Sequence, residues 1–167
     1  MITSNKALLS IKQNEGVRIK PYLDVILLWT TGVGHLIAPP EHMKMTLDQR
    51  KEAKAKGQLT CPPEWNRTLT MEEVDEILRS DLRRFESGVQ RYCPVGLTQG
   101  RFDALVSFSF NCGLGTLQRS SIRMRHNRAD FQAASEGFLL YNKAGGIVNK
   151  GLTRRRNEER AMYLSKD

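Results

Sequence analysis

Glu15 lies four residues beyond Ile11 and seven beyond Leu8, where it continues the apolar stripe of an N-terminal helical segment. A carboxylic acid at the edge of an apolar face loses hydration, which disfavours its charged form and suits it to donate a proton near neutral pH. A glutamate at a helix end also pairs with a neighbouring cation such as Arg18, so the position alone leaves both readings open. Asp24 follows nine residues later, and Thr30 six after that, just ahead of Gly32-Val33-Gly34-His35. Two carboxylates near one short sheet could flank a glycosidic bond, one donating a proton and the other handling water or charge. A nearby hydroxyl could hold that water. An aspartate at a turn, however, more commonly caps or bends the chain. Gly32-Val33-Gly34 lacks the third glycine and the following helix of a phosphate-binding fingerprint. His35 is one of three histidines and has no Cys or His at metal-ligand spacing, so it reads as a hydrogen-bonded structural residue. No metal or cofactor is expected.

These residues must be positioned by a few short elements. Residues 4–15 read as a helix with Ser4 or Asn5 at its N-cap. Residues 17–38 are β-prone and punctuated by glycine, which predicts a small hairpin sheet. The polar stretch 39–69, with Pro39-Pro40 and Pro62-Pro63, reads as loop with one short helix near 47–56. Thr70-Met71-Glu72-Glu73 is a capping box. Val74, Ile77, Leu78, Leu82, Phe85 and Val89 then recur at helical spacing to about residue 91. Pro94 and Gly96 interrupt the chain, and the run from Phe102 to Phe110 is apolar on nearly every side, as a buried helix would be. Helices are expected near 116–125, 128–141 and 154–164, with a Gly145-Gly146 turn between the last two. The architecture predicted is α+β, a single domain with a small sheet lobe over about 14–69, a connecting helix over about 70–91 and a helical lobe over about 92–167. A cleft between lobes is where a site would form.

Composition narrows the class. The 167 residues include 40% hydrophobic and 26% charged positions, which excludes a disordered or fibrous chain. No window approaches the ~18 apolar residues of a membrane span. The first residues are too short and interrupted for a signal peptide, so synthesis in a cytoplasm is expected. Cys61, Cys93 and Cys112 match no metal or disulfide spacing and read as reduced structural thiols. The net charge of +8 is divided evenly between residues 1–70 and 71–167, at +4 each, and so reads as spread along the chain. It favours a polyanionic partner, an anionic cell surface or nucleic acid, or serves solubility. No nucleic-acid motif or concentrated basic arm is present.

Taken together, Glu15-Gly16-Val17-Arg18, Tyr22-Leu23-Asp24 and Trp29-Thr30-Thr31-Gly32-Val33-Gly34-His35 resemble the active-site segment of phage-type lysozymes, glycoside hydrolase family 24. Leu97-Thr98-Gln99 with Phe102 to Phe108, then Phe110-Asn111-Cys112-Gly113, resembles the family's central helix. Asn142-Lys143-Ala144-Gly145-Gly146 and Gly151 to Arg160 resemble its C-terminal signature. The resemblance implies a lysozyme-like fold and a muramidase that cuts the β-1,4 bond between N-acetylmuramic acid and N-acetylglucosamine. It implies Glu15 as proton donor, Asp24 as second carboxylate and Thr30 as the completing threonine. It also implies that Asn111, His35 and Arg155 touch substrate or support the site, and that one of Arg154, Arg155 and Arg156 pairs with Glu15, without saying which. The implied partner is peptidoglycan, met by a monomer without stable membrane insertion or nucleic acid. The implied place of action is the host cytoplasm until lysis, then the cell wall.

Three departures from that pattern stand out. Asp24 is followed by Val25-Ile26-Leu27-Leu28 where the family usually bends with Pro and Gly. Tyr141 replaces a common Trp. The 39–69 segment is longer than in compact members and carries Trp65, placed either to stack on a sugar or to pack on its own lobe. A lytic transglycosylase would need only Glu15, and a non-cutting wall binder would need neither carboxylate; the presence of Asp24 and Thr30 favours hydrolysis.

Overall fold

Ser4 begins the first helix, α1 (Asn5–Glu15), its hydroxyl accepting the Ala7 N–H at 3.2 Å. Ala7, Leu8 and Ile11 form the buried stripe. Gly16, at φ +79°, turns the chain out of the helix in a conformation only glycine adopts cheaply. A three-stranded antiparallel sheet follows, β1 (Arg18–Leu23), β2 (Trp29–Gly32) and β3 (His35–Leu36), in the order β1-β2-β3. The computed structural model describes residues 1–165, so Lys166 and Asp167 of the expected helical lobe lie outside the described residues.

Tyr22 pairs with Thr30 and Leu23 with Trp29, but the register slips between Arg18 and Tyr22. Pro21 stands in that slip and has no N–H to give a ladder. The 39–69 stretch contains more helix than its composition suggests. Besides the expected α3 (Leu47–Ala55), there is α2 (Pro40–Lys44) and a short 3-10 turn, Pro63–Trp65. Proline is favoured at the first helical position because that N–H would be unpaired anyway, and Pro40 uses this. Thr46 and Gln49 cap α3 reciprocally.

The capping box at Thr70 is formed as its sequence predicts. Glu73 accepts the Thr70 N–H at 2.8 Å and donates its own N–H to Thr70 Oγ1 at 3.2 Å. The helix it starts, α4 (Met71–Tyr92), buries Val74, Leu78, Leu82, Phe85 and Val89. Then come α5 (Gln99–Cys112), α6 (Leu114–Arg119), α7 (Ser121–His126) and α8 (Phe131–Gly137), the last running into a 3-10 turn at Phe138–Leu140. One helix was expected over 116–125, but Ser120 splits it. Its hydroxyl accepts the Arg123 N–H and restarts the chain as an N-cap. Around Gly145-Gly146 the chain forms a two-strand hairpin, β4 (Lys143–Ala144) with β5 (Ile147–Val148), before α9 (Lys150–Leu164).

The described chain divides into two compact units: Glu15–Ser80, which carries the three-stranded sheet, and Met1–Asn14 together with the chain from Asp81 onward. In the second unit α9 packs on α5. Gly100 permits the approach, since a Cβ there would lie 2.5 Å from the Met162 carbonyl oxygen. Phe102, Ala104, Leu105, Val106 and Phe108 are fully buried, as the apolar run predicts.

Candidate active site

The segment after Asp24 has no glycine or proline, and Asp24 bends it with its own side chain. Asp24 Oδ1 accepts the Ile26 N–H at 2.9 Å and the Leu28 N–H at 2.8 Å. The backbone closes the same turn: Leu27 N–H reaches the Asp24 carbonyl and Asp24 N–H the Leu28 carbonyl, both at 3.0 Å. Leu27 sits at φ +61°, the left-handed region, which costs an L-residue roughly 1–2 kcal/mol. Val25 at its tip is 96% exposed.

Thr30 is held by the same residue. It lies on β2 between Tyr22 and Leu36, is 4% exposed, and its hydroxyl donates to the Leu28 carbonyl at 3.1 Å. That carbonyl therefore binds both the Asp24 N–H and the Thr30 hydroxyl, while the Leu28 N–H grips the Asp24 carboxylate. Asp24 and Thr30 are tied through one backbone unit. With its proton given to Leu28, the Thr30 oxygen retains acceptor capacity for a small polar molecule.

Glu15 closes α1 as an exposed residue. The expectation that its own apolar stripe withdraws it from water is corrected here, because burial stops at Ile11 and Gly16 turns the chain away immediately after. His35 pairs with Thr31 across β2 and β3 and carries the Trp65 ring at 5.4 Å and 50°. Trp65 thus packs within its own unit. Among the described residues no group of three or more His, Cys, Asp or Glu could hold a metal ion.

In the other unit a buried charge network organises the residues read from the C-terminal signature. Glu159 Oε1 receives the Ser107 hydroxyl at 2.7 Å and Arg155 Nε at 3.1 Å, and Arg156 Nε stands 3.1 Å from Glu159 Oε2. Burial raises the Glu159 carboxyl, against the pull of the two guanidiniums. Arg156 also donates to Asn111 Oδ1 at 2.7 Å and lies 3.0 Å from the Cys112 sulfur. Fixing the carbonyl end of the exposed Asn111 amide leaves its NH2 end outward, beside an open pocket of about 400 Å³ lined by Asn111, Cys112, Leu140, Tyr141, Lys143 and Leu152. Tyr141 packs edge-on against Phe108 at 4.9 Å. Arg154 faces Glu158 at the surface. Glu159 and Ser107 were not foreseen as site supports, although Glu159 stands four and three residues after Arg155 and Arg156. All three cysteines are free, and burial raises each thiol above its ordinary value, that of Cys93 to about 12.

The chain is similar to known proteins along nearly its whole length. The endolysin of Bacillus phage B103 is 42% identical over 58% of this chain, which spans only 37% of that relative's length. The endolysin of Salmonella phage P22 is 33% identical over 99% of both chains. A crystal structure of a P22 lysozyme mutant superposes with a TM-score of 0.79 at 30% identity over 99% of each chain, which establishes the lysozyme-like α+β fold. The phage lysozyme family pattern matches residues 12–159. The chain belongs to the phage lysozyme family.

Proposed function

We propose that this chain is a peptidoglycan muramidase, an endolysin that hydrolyses the β-1,4 bond between N-acetylmuramic acid and N-acetylglucosamine at host lysis. The observation that carries the reading is the joint fixing of Asp24 and Thr30 through Leu28, one short hairpin after Glu15. Glu15 gives its proton to the glycosidic oxygen as the bond from the anomeric carbon breaks. An incoming glycan covers this exposed carboxyl, removing the water that its own helix leaves on it. Asp24 has one carboxylate oxygen committed to two backbone N–H groups and turns the other towards the positive charge that develops on the sugar. The Thr30 oxygen accepts a hydrogen bond from the water that adds to the anomeric carbon. One hydrogen of that water stays on the new sugar hydroxyl and the other passes as a proton to a carboxylate, which replaces the proton Glu15 gave and balances the hydrolysis. Asn111 presents its amide NH2 to the glycan, with Arg156 fixing its orientation and Arg155 supporting the same network through Glu159. His35 acts as a support under the sheet, carrying Trp65.

The enzyme works as a monomer on peptidoglycan, first held in the host cytoplasm and then acting on the wall. Among the described residues no helix is long and apolar enough to cross a membrane. The reading is tested by product analysis on purified peptidoglycan. Hydrolysis leaves reducing muramic ends, whereas anhydro-muramyl ends would show a transglycosylase, for which Asp24 and Thr30 would have no use.

A further inference from the structure

The turn that carries Asp24 is strained at Leu27 and exposed at Val25, yet it is clamped from behind by one buried side chain. Arg50, on the first turns of α3, is only 9% exposed. One terminal nitrogen of its guanidinium donates to the Ile26 carbonyl, at the centre of the Asp24 turn. Its Nε and its other terminal nitrogen both donate to the Met45 carbonyl, at 3.2 and 3.0 Å. Met45 is the residue that ends α2, so one planar fork joins the Asp24 turn to the junction of α2 and α3. No ion pair to Arg50 is found among the described residues. A buried cation spent on two carbonyls is costly for stability alone, which points to a positional task.

We propose that Arg50 is a positioning residue for catalysis: through the Ile26 carbonyl it holds the Asp24 carboxylate and the Leu28 carbonyl in register with Thr30. This gives the 39–69 segment a task that neither its composition nor Trp65 suggested. The inference rests on the proposed role of Asp24. Lysine cannot replace the arginine, because a single ammonium on a flexible stem does not present a planar fork to two separate carbonyls.

The test compares Arg50→Lys, Thr46→Ala and Asp24→Asn with the wild type. Thr46→Ala removes the α3 cap, and so loosens the same segment without touching the Asp24 turn. Amide hydrogen exchange at Ile26 and Leu28 reads the clamp, and kcat and KM on a soluble peptidoglycan fragment read its consequence. Arg50→Lys should speed exchange at both amides at least tenfold and lower kcat at least tenfold with KM within about twofold. Thr46→Ala should do neither at a comparable loss of Tm. Arg50→Gln, if Arg50→Lys fails to fold, must show the same pattern. Retained kcat in the arginine variants, or an equal fall in Thr46→Ala, overturns the proposal. If Asp24→Asn keeps its activity, the role of Asp24 has failed instead, and Arg50 is reduced to a staple of the hairpin.

Discussion

The two compact units are built on opposite electrostatic plans. Glu15–Ser80 contains 9 Lys and Arg against 10 Asp and Glu, a net charge of −1. The remainder contains 17 against 8, a net charge of +9, so the whole surplus of the chain sits in the helical unit. The even division seen along the sequence is therefore corrected by the fold. Lys6 and Lys12 join the helical unit, and the acidic run Glu72, Glu73, Asp75 and Glu76 joins the sheet unit. The means of holding residues in place also differ. The sheet unit fixes Asp24 and Thr30 by backbone hydrogen bonds around an exposed turn, whereas the helical unit fixes Arg155, Arg156 and Asn111 around a buried carboxylate. The proposed chemistry lies in the first unit, and the basic surplus lies in the second.

The largest effect expected on stability is in the helical unit. Glu159→Ala leaves Arg155 and Arg156 buried without their counter-charge and should cost about 3–5 kcal/mol in denaturant unfolding. A loss below 1 kcal/mol would mean that the network does not organise this unit. Thr30→Val sharpens the contrast from the other side. It keeps the β-branched shape, and the Leu28 carbonyl keeps the Asp24 N–H, so stability should fall by no more than about 1 kcal/mol. Turnover should nevertheless drop at least ~10-fold as the water loses its partner. Near wild-type hydrolysis would reduce Thr30 to a strand residue.

A smaller effect is expected at His126. Its Nε2 donates to the Cys93 carbonyl at 3.1 Å, Nδ1 lies 2.6 Å from the Tyr163 hydroxyl, and the ring is fully buried. Burial holds its pKa below the ordinary histidine value. The unfolded chain therefore binds a proton first as the medium is acidified. Stability from this group is complete above about pH 6.5 and falls as pH drops towards the folded value. Unfolding of wild type and His126→Gln from pH 7.5 to 5 should show this slope only in the wild type; equal slopes would assign it elsewhere.

The smallest effect is ionic. Raising salt above physiological strength should slow clearing of whole walls several-fold and leave a short neutral oligosaccharide nearly unaffected. Arg119→Glu with Arg128→Glu, on the basic unit, should reproduce this loss more strongly than Lys51→Glu with Lys54→Glu on the sheet unit. Equal losses would show that only total charge matters.

Local rules carried much of this architecture. The capping box at Thr70, the apolar spacing through Val89 and the all-round apolar run from Phe102 each specify an element without tertiary help. Motif order likewise brought out Glu15, Asp24, Thr30 and Asn111. What stayed hidden depends on partners distant in sequence. Nothing around Arg50 announces that its guanidinium will meet the carbonyl of Ile26, 24 residues earlier. Ser107 and Glu159 meet across 52 positions. The Asp24 turn was legible in part: an aspartate bends the chain as turn rules allow, but the left-handed leucine that completes the turn carries no local signal.

The central claim is that a proton donor at the start of the sheet unit drives glycan cleavage, and Glu15→Gln tests it most directly. Turbidity clearing of purified peptidoglycan is measured beside the Tm of the same protein. The expected result is a rate at least ~10²-fold lower with an unchanged or higher Tm, since an exposed acid at the end of α1 is not held there by packing. Clearing at a comparable rate by a folded Glu15→Gln protein would place the acid elsewhere and contradict the account.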